Sequence, residues 1–170
     1  MCLILMACAI GVTACVNDNA GAGDAESLVG VGDAVPQFSL TATDGSEVST
    51  ALLTGQVYIL NFFDTRCPDC QEELQVLQRI YETYRDALPM LNVPRSQTNE
   101  EVEAYWTKEG LTMPHHVASD KNLYYRFATR VIPRTYVIDG SGKVRGAYSD
   151  NPVADFPTLD ALLQQLLCEP

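Results

Sequence analysis

The stretch Ile59-Leu60-Asn61-Phe62-Phe63-Asp64-Thr65-Arg66-Cys67-Pro68-Asp69-Cys70 constrains this chain more than any other. An apolar run suited to a buried strand delivers two cysteines, spaced Cys-X-X-Cys, onto the first turn of an amphipathic helix that begins near Pro68. Unpaired backbone N–H groups and the positive end of the helix dipole favour a thiolate at Cys67, the species that attacks disulfides. Cys70, one turn further in, is placed to close the ring. The order strand, dithiol, helix points to redox chemistry.

Two other chemistries use similar residues. Cys-X-X-Cys is also half of a zinc site, but a full site needs two more ligands. The remaining cysteines are Cys2, Cys8 and Cys15 near the start and Cys168 at the end. His115 and His116 are adjacent, so on a strand they point to opposite faces and cannot easily share one metal. The expected metal set is therefore none, and the redox reaction needs no organic cofactor. Peroxide chemistry is the other alternative. Peroxiredoxins carry a Thr three residues before the reactive Cys, whereas this chain has Asp64 there and Thr65 one place later.

From about Gly32 to the last helix the sequence resembles the thioredoxin-like proteins of the TlpA and ResA type, membrane-tethered disulfide reductases of the bacterial cell envelope. The resemblance is carried by Gly32-Asp33-Ala34-Val35-Pro36-Gln37-Phe38-Ser39-Leu40, Asp44-Gly45, and Asn61-Phe62-Phe63 before the dithiol. It continues in Ile132-Pro133-Arg134-Thr135-Tyr136-Val137-Ile138-Asp139 with Gly142-Lys143. It implies an α/β thioredoxin-like fold, a central mixed sheet flanked by helices with an N-terminal hairpin and a TlpA-type strand-helix insertion. It also implies that Pro133 is the cis-proline beside the dithiol, offering an extended substrate a strand-like edge together with the backbone of Ile132. Two departures bear on substrate choice and reduction potential. Arg66 stands where the family usually has Trp, and Asn61 stands where thioredoxin has a buried Asp.

The chain pattern agrees with that fold. Phe38 to Thr41 and Glu47 to Ser49 flank the turn Thr43-Asp44-Gly45 as a hairpin. Val57 to Phe63 reads as a central strand, apolar on both faces. The following helix places Leu74, Leu77, Tyr81 and Tyr84 on one stripe with Gln and Glu opposite. Met90 to Val93 is the next strand, and Thr98 with Glu101 reads as a capping box for a helix that stops at Gly110. A short strand at His116 to Ala118 and a helix at Leu123 to Thr129 follow. Thr135 to Ile138 and Val144 to Tyr148 then form an antiparallel pair, and Leu159 to Leu167 is the closing helix. Minimal thioredoxin has one strand and one helix between the dithiol helix and the cis-proline; two of each are expected here. Cys168, among Leu163, Leu166 and Leu167, reads as a small buried apolar residue, and Tyr124, Tyr125 and Trp106 as core and surface aromatics.

Residues Leu3 to Val12 are almost entirely apolar, too short to span a bilayer but suited to a signal-peptide core. They lead into Val12-Thr13-Ala14-Cys15, which resembles a bacterial lipobox whose Cys15 is lipidated. The first basic residue is Arg66, which is unusual for such a leader. Either the true start lies upstream of Met1 or the leader works poorly. A buried N-terminal strand is the alternative. Residues 16–32, rich in Gly, Ala, Asn and Asp, are expected to form a flexible tether, leaving 33–170 as one thioredoxin-like domain after a signal peptide at 1–15.

With 22 acidic and 11 basic residues the formal charge is −11, which argues against nucleic acid and anionic lipid as partners. Arg66 flanks Cys67, Arg134 follows Pro133, and Arg126 and Arg130 precede it, so a cationic rim that contacts substrate is one expectation. Solvation, or pairing with acids such as Asp64 and Asp69, is the other. Asp64, Asp69, Glu72 and Glu73 oppose a Cys67 thiolate, each exposed charge by about 0.3–1 kcal/mol, and so at least cancel Arg66. A dithiol whose thiolate is not strongly stabilised is a reducing one. The expected activity is thus a thiol-disulfide oxidoreductase that reduces protein disulfides through Cys67 and Cys70. The resemblance adds a lipid-anchored location facing the periplasm or exterior, a membrane thiol-disulfide electron donor, and exported thiol proteins such as apocytochrome c as substrates. The competing reading is a non-catalytic binding module with a structural disulfide.

Overall fold

The computed structural model describes residues 26–118 and 120–168. The expected signal peptide, the lipobox with Cys15 and the first part of the tether lie outside the described residues. The elements run β1 Ser39–Ala42, β2 Glu47–Ser49, β3 Tyr58–Phe63, α1 Pro68–Tyr84, β4 Met90–Pro94, α2 Asn99–Glu109, β5 His116–Val117, β6 Arg134–Ile138, β7 Val144–Tyr148 and α3 Phe156–Cys168.

A four-stranded sheet in the order β4-β3-β6-β7 forms the centre. β3 pairs parallel with β4 and antiparallel with β6, and β6 pairs antiparallel with β7. All six residues of β3 are buried, because helices cover one face and the N-terminal region the other. Alternation along the strand splits the core in two. Ile59 and Phe63 join Leu74, Leu77 and Ile80 of α1, Trp106 of α2, and Leu159 and Leu163 of α3. Tyr58, Leu60 and Phe62 join Phe38, Leu40, Tyr124 and Phe127 on the far side. A second, three-stranded sheet in the order β2-β1-β5 ties the hairpin to the inserted segment.

The local signals in the sequence act as expected at several points. The hairpin turn closes through Gly45 at φ 85° and a bond from Ser46 N to Asp44 Oδ1 at 2.9 Å. Thr98 and Glu101 make both halves of the capping box, and Gly110 ends α2 in the left-handed conformation. The bond between Ile132 and Pro133 is cis.

Three expectations are corrected. Leu123 to Thr129 is not a helix; only the 3₁₀ turn Tyr124–Arg126 forms. The backbone that would continue it is taken instead, since Phe127 O accepts from Leu28 N at 2.8 Å and Thr129 N donates to Glu26 O at 2.9 Å. The same bonds correct the tether. Residues 26–32 are docked, with Val29 buried and Gly32 N bonded to Val144 O at 2.8 Å, so the folded unit includes Glu26. Cys168 is exposed rather than buried. The buried stripe of α3 is Leu159, Leu163 and Leu166, and two residues beyond Leu166 the helix has turned by roughly 200°.

Replacing Thr98 by Ala removes the hydroxyl that accepts from Glu101 N and should lower stability by about 1 kcal/mol. A guanidinium titration should show an earlier midpoint with an unchanged slope.

Candidate active site

Cys67 is the N-cap of α1, in extended backbone conformation, with Pro68 at the first helical position. Its sulfur accepts from Cys70 N at 3.4 Å and donates to Ile132 O at 3.8 Å. The structure thus brings together the nucleophile candidate, its partner and the residue that precedes the cis-proline, though they are far apart in sequence. Both cysteines are free thiols. Cys67 is half-buried and Cys70 is buried. Burial first, then the Cys67 sulfur and the charge of Glu73, push the Cys70 thiol far above its ordinary range. The two sulfurs therefore differ in access and in ease of ionisation.

The four arginines do not form one rim. Arg66 is exposed, but its guanidinium grips Asp64 through two bonds, Nε to Oδ1 at 2.9 Å and Nη2 to Oδ2 at 2.8 Å. The bond from Arg66, above all, holds the Asp64 carboxyl below its usual range. Much of the cation that the sequence sets beside Cys67 is therefore cancelled locally. Arg134 is corrected as a rim residue. It is buried, its Nε donating to Val131 O at 3.1 Å and its Nη1 to Ser27 Oγ, so it braces the loop before Pro133 from within. Arg130 pairs with Glu26 at 3.1 Å, and Arg126 is exposed.

Glu73 overturns the expected electrostatics. It is not an exposed acid beside the dithiol but a buried one behind it, 0 % exposed. Both carboxyl oxygens lack a hydrogen-bond partner among the described residues. Burial pushes its pKa up to about 8, and the nearby Thr135 hydroxyl and Ala154 backbone, too loosely placed for hydrogen bonds, only soften the shift. Gln78, the other polar residue on the buried face of α1, shows the contrast. Its Oε1 accepts from Thr112 N and Met113 N, and its Nε2 donates to Thr112 Oγ1 and Glu82 Oε1. A buried carboxyl left unpaired beside a fully paired neighbour points to chemistry rather than packing. The sequence holds a signal for it, since Glu73 lies at i+3 from Cys70 and shares its helix face.

Asn61 is buried in β3 at the register position shared with Asn92 and Thr135. Its Nδ2 donates to Asn92 Oδ1 at 3.2 Å, and Thr135 Oγ1 donates to its Oδ1 at 3.3 Å. The amide thus fills the centre of the sheet without a charge. His116 is a buried residue of β5, and His115, also buried, forms an isolated bridge with Asn92 just before it. His115 Nε2 lies 2.9 Å from Glu103 Oε2, and burial lowers the His116 pKa to about 4.

A dithiol at a helix start, beside a cis-proline on a mixed sheet, defines a thioredoxin-fold protein with a redox-type site. The AhpC/TSA family profile matches residues 31–147, and the chain belongs to that family. The thiol-disulfide oxidoreductase ResA of Geobacillus thermodenitrificans is 27% identical over 144 residues, spanning 84% of this chain and 80% of that protein. The thioredoxin-like protein YneN of Bacillus subtilis is 26% identical over 117 residues, 67% of this chain and 68% of its own. The crystal structure of a thiol:disulfide interchange protein of the thioredoxin family from Chlorobium tepidum superposes with a TM-score of 0.68 at 26% identity, covering 80% of this chain and 97% of that one. The chain is accordingly a TlpA/ResA-like, thioredoxin-fold protein of the thiol-disulfide oxidoreductase class.

The raised pKa of Glu73 has a sign for stability. Its folded value of about 8 lies above its ordinary 4.5, so the folded state holds the proton longer. Stability should be highest below pH 4.5, as far as this residue is concerned, fall as pH rises to about 8, and level off above. Replacing Glu73 by Gln should flatten that fall and stabilise the reduced protein at pH 8 by a few kcal/mol, roughly. Denaturant unfolding at pH 5, 6.5 and 8 measures it.

Proposed function

We propose that this protein reduces disulfides of exported proteins, with Cys67 as the attacking thiol and Cys70 as the resolving one. The observation that carries the reading is the asymmetry of the dithiol. A half-buried Cys67 sulfur sits 3.8 Å from Ile132 O, and a buried Cys70 lies behind it. In the first step the Cys67 thiolate attacks a substrate disulfide. One substrate sulfur leaves as a thiolate and takes up a proton, and a mixed disulfide remains on Cys67. In the second step the ionised fraction of Glu73, which grows as pH approaches its pKa of about 8, takes the Cys70 proton, and the Cys70 thiolate attacks the Cys67 sulfur. The Cys67–Cys70 disulfide forms, and the second substrate sulfur leaves as a thiolate that takes up the proton held on Glu73. A dithiol donor must then return two electrons, the role suited to a membrane thiol-disulfide carrier.

The electrostatics of the site support reduction as the direction. Strongly oxidising dithiols are those whose reduced form is stabilised. Here the charge of Arg66 is spent on Asp64, and Cys70 is a buried thiol that ionises reluctantly. Peroxide reduction fits less well. The position three residues before Cys67 is the ion-paired Asp64, and the Thr65 hydroxyl is buried and accepts from Gln97 Nε2 at 2.8 Å. Pro133 and Ile132 supply the substrate-docking edge in this reading, with Arg66 at its exposed margin. Substrates would be exported thiol proteins, apocytochrome c among them by the family resemblance, and the interchange protein that shares this fold supports the thiol-disulfide exchange itself.

Limiting iodoacetamide near neutral pH should label Cys67 before Cys70. Cys70→Ser should accumulate mixed disulfides on Cys67, and the unaltered protein should turn over insulin with a dithiol donor. First labelling at Cys70 reverses the roles, and no turnover leaves a binding module instead.

The leader and the lipobox at Val12-Thr13-Ala14-Cys15 support placement at the cell envelope through a lipid on Cys15, with residues up to 25 as the tether. Among the described residues no helix is long and apolar enough to cross a membrane. Detergent partitioning should carry the protein into the detergent phase, and Cys15→Ala should release it or leave it unprocessed. A soluble protein with Met1 intact sinks the anchor.

A further inference from the structure

The turn that aims Cys67 is held from a place outside the dithiol helix. Asp64 O accepts from Cys67 N at 3.0 Å and Cys67 O accepts from Gln71 N at 3.0 Å, which fixes the turn along its own backbone. Between them lies Thr65, buried, whose carbonyl accepts from Gln71 Nε2 at 2.7 Å. Its other two polar groups face Gln97, the buried residue just before the N-cap of α2. Gln97 Oε1 accepts from Thr65 N at 2.8 Å, and Gln97 Nε2 donates to Thr65 Oγ1 at 2.8 Å. One amide thus meets a donor and an acceptor of the same residue. The segment that carries Gln97 is itself pinned, because Arg95 N donates to Phe63 O at 2.8 Å.

We propose that Gln97 is a positioning residue for the nucleophile: it fixes Thr65 so that the Cys67 sulfur stays under Cys70 N and beside Ile132 O, where a substrate disulfide is attacked. The inference rests on the reading of Cys67 as the attacking thiol. Its physical basis is the geometry of both partners. Gln97 and Thr65 are buried, so neither can exchange the lost bond for water when the other is removed. The Thr65 amide would then seek another acceptor, and the turn two residues before Cys67 would shift with it. Attack on a disulfide needs an aligned sulfur, so a small shift acts on the rate of the chemical step more than on the binding of substrate.

The test is single-turnover mixing of the fully reduced protein with excess insulin, reading the maximal rate of attack and the half-saturating concentration. Gln97→Ala should lower the maximal rate by roughly tenfold, while half-saturation stays within about twofold because the Ile132–Pro133 edge is untouched. A loss of folded protein alone would reduce amplitude and leave the rate of the remaining fraction unchanged. Thr65→Val removes the hydroxyl yet keeps the backbone bond, and should slow attack by roughly threefold; Thr65→Ser, which keeps both, should recover most of that loss. If Gln97→Ala does not fold, the Val and Ser pair decides: equal rates overturn the clamp. A folded Gln97→Ala with the native rate also overturns it. An unaltered protein that does not attack insulin at all overturns the reading of Cys67 instead, so the two failures are distinct.

Discussion

Strand β3 carries the demand that shapes the rest of the molecule. Its apolar residues, Tyr58, Ile59, Leu60, Phe62 and Phe63, are at most 2 % exposed, and full burial of such side chains is worth about 1.5–3 kcal/mol each. That gain requires cover on both faces, which α1, α2 and α3 supply on one side and the hairpin with Tyr124 and Phe127 on the other. The cover in turn dictates where the chain goes at the strand's end. Phe63 is locked by Arg95 N on its carbonyl, so the residues after it must turn sharply into α1. The dithiol sits on that turn because the core leaves it no other exit.

The same strand explains why the site has a buried acid on the helix and none on the sheet. Asn61 fills the position where a sheet carboxylate would lie, and its amide is matched by Asn92 and Thr135. A neutral amide with partners is inexpensive to bury, whereas a charged group there would need a counter-charge. The buried ionisable group lies one layer away, at Glu73 on α1, where burial without partners raises its pKa to about 8, and the proposed reaction uses it to take the Cys70 proton. Fold and proton chemistry are thereby separated. The sheet can be rigid and fully satisfied while the ionisable group changes state beside Cys70.

What was legible in the sequence is what depends on local signals. The Cys-X-X-Cys at a strand–helix junction, the Thr98–Glu101 box, Gly110 and the Asp44-Gly45 turn each fix backbone over a few residues, and each stands in the structure as read, whereas the cis bond before Pro133 was legible only through the family resemblance. What was missed depends on partners distant in the chain. Residues 26–29 look like tether until Leu28 N donates to Phe127 O and Thr129 N donates to Glu26 O across the fold, and those bonds also take the backbone of the helix expected at Leu123. Arg134 reads as a surface cation until Ser27 and Val131 take its donors. Glu73 reads as exposed because an amphipathic stripe is usually counted in apolar residues, and an acid on that stripe is scored as an error in the pattern. It is better scored as a candidate.

Arg66 and Gln97 show how this site is held with a cation rather than a flat apolar residue before the first cysteine. Arg66 cannot pack under the turn as an aromatic ring would. It bonds Asp64 instead, and its own N–H also meets Asp64 Oδ1 at 2.9 Å, so the turn is stiffened by a local ion pair on its outer side. The exposure of Arg66 lets solvent screen that pair and limits its worth. It therefore needs support from the inner side, where Thr65 meets the buried Gln97 out of reach of water, while the exposed Gln71 holds the Thr65 carbonyl. A polar clamp on the buried face thus backs a turn whose exposed side carries only the locally paired Arg66 and Asp64.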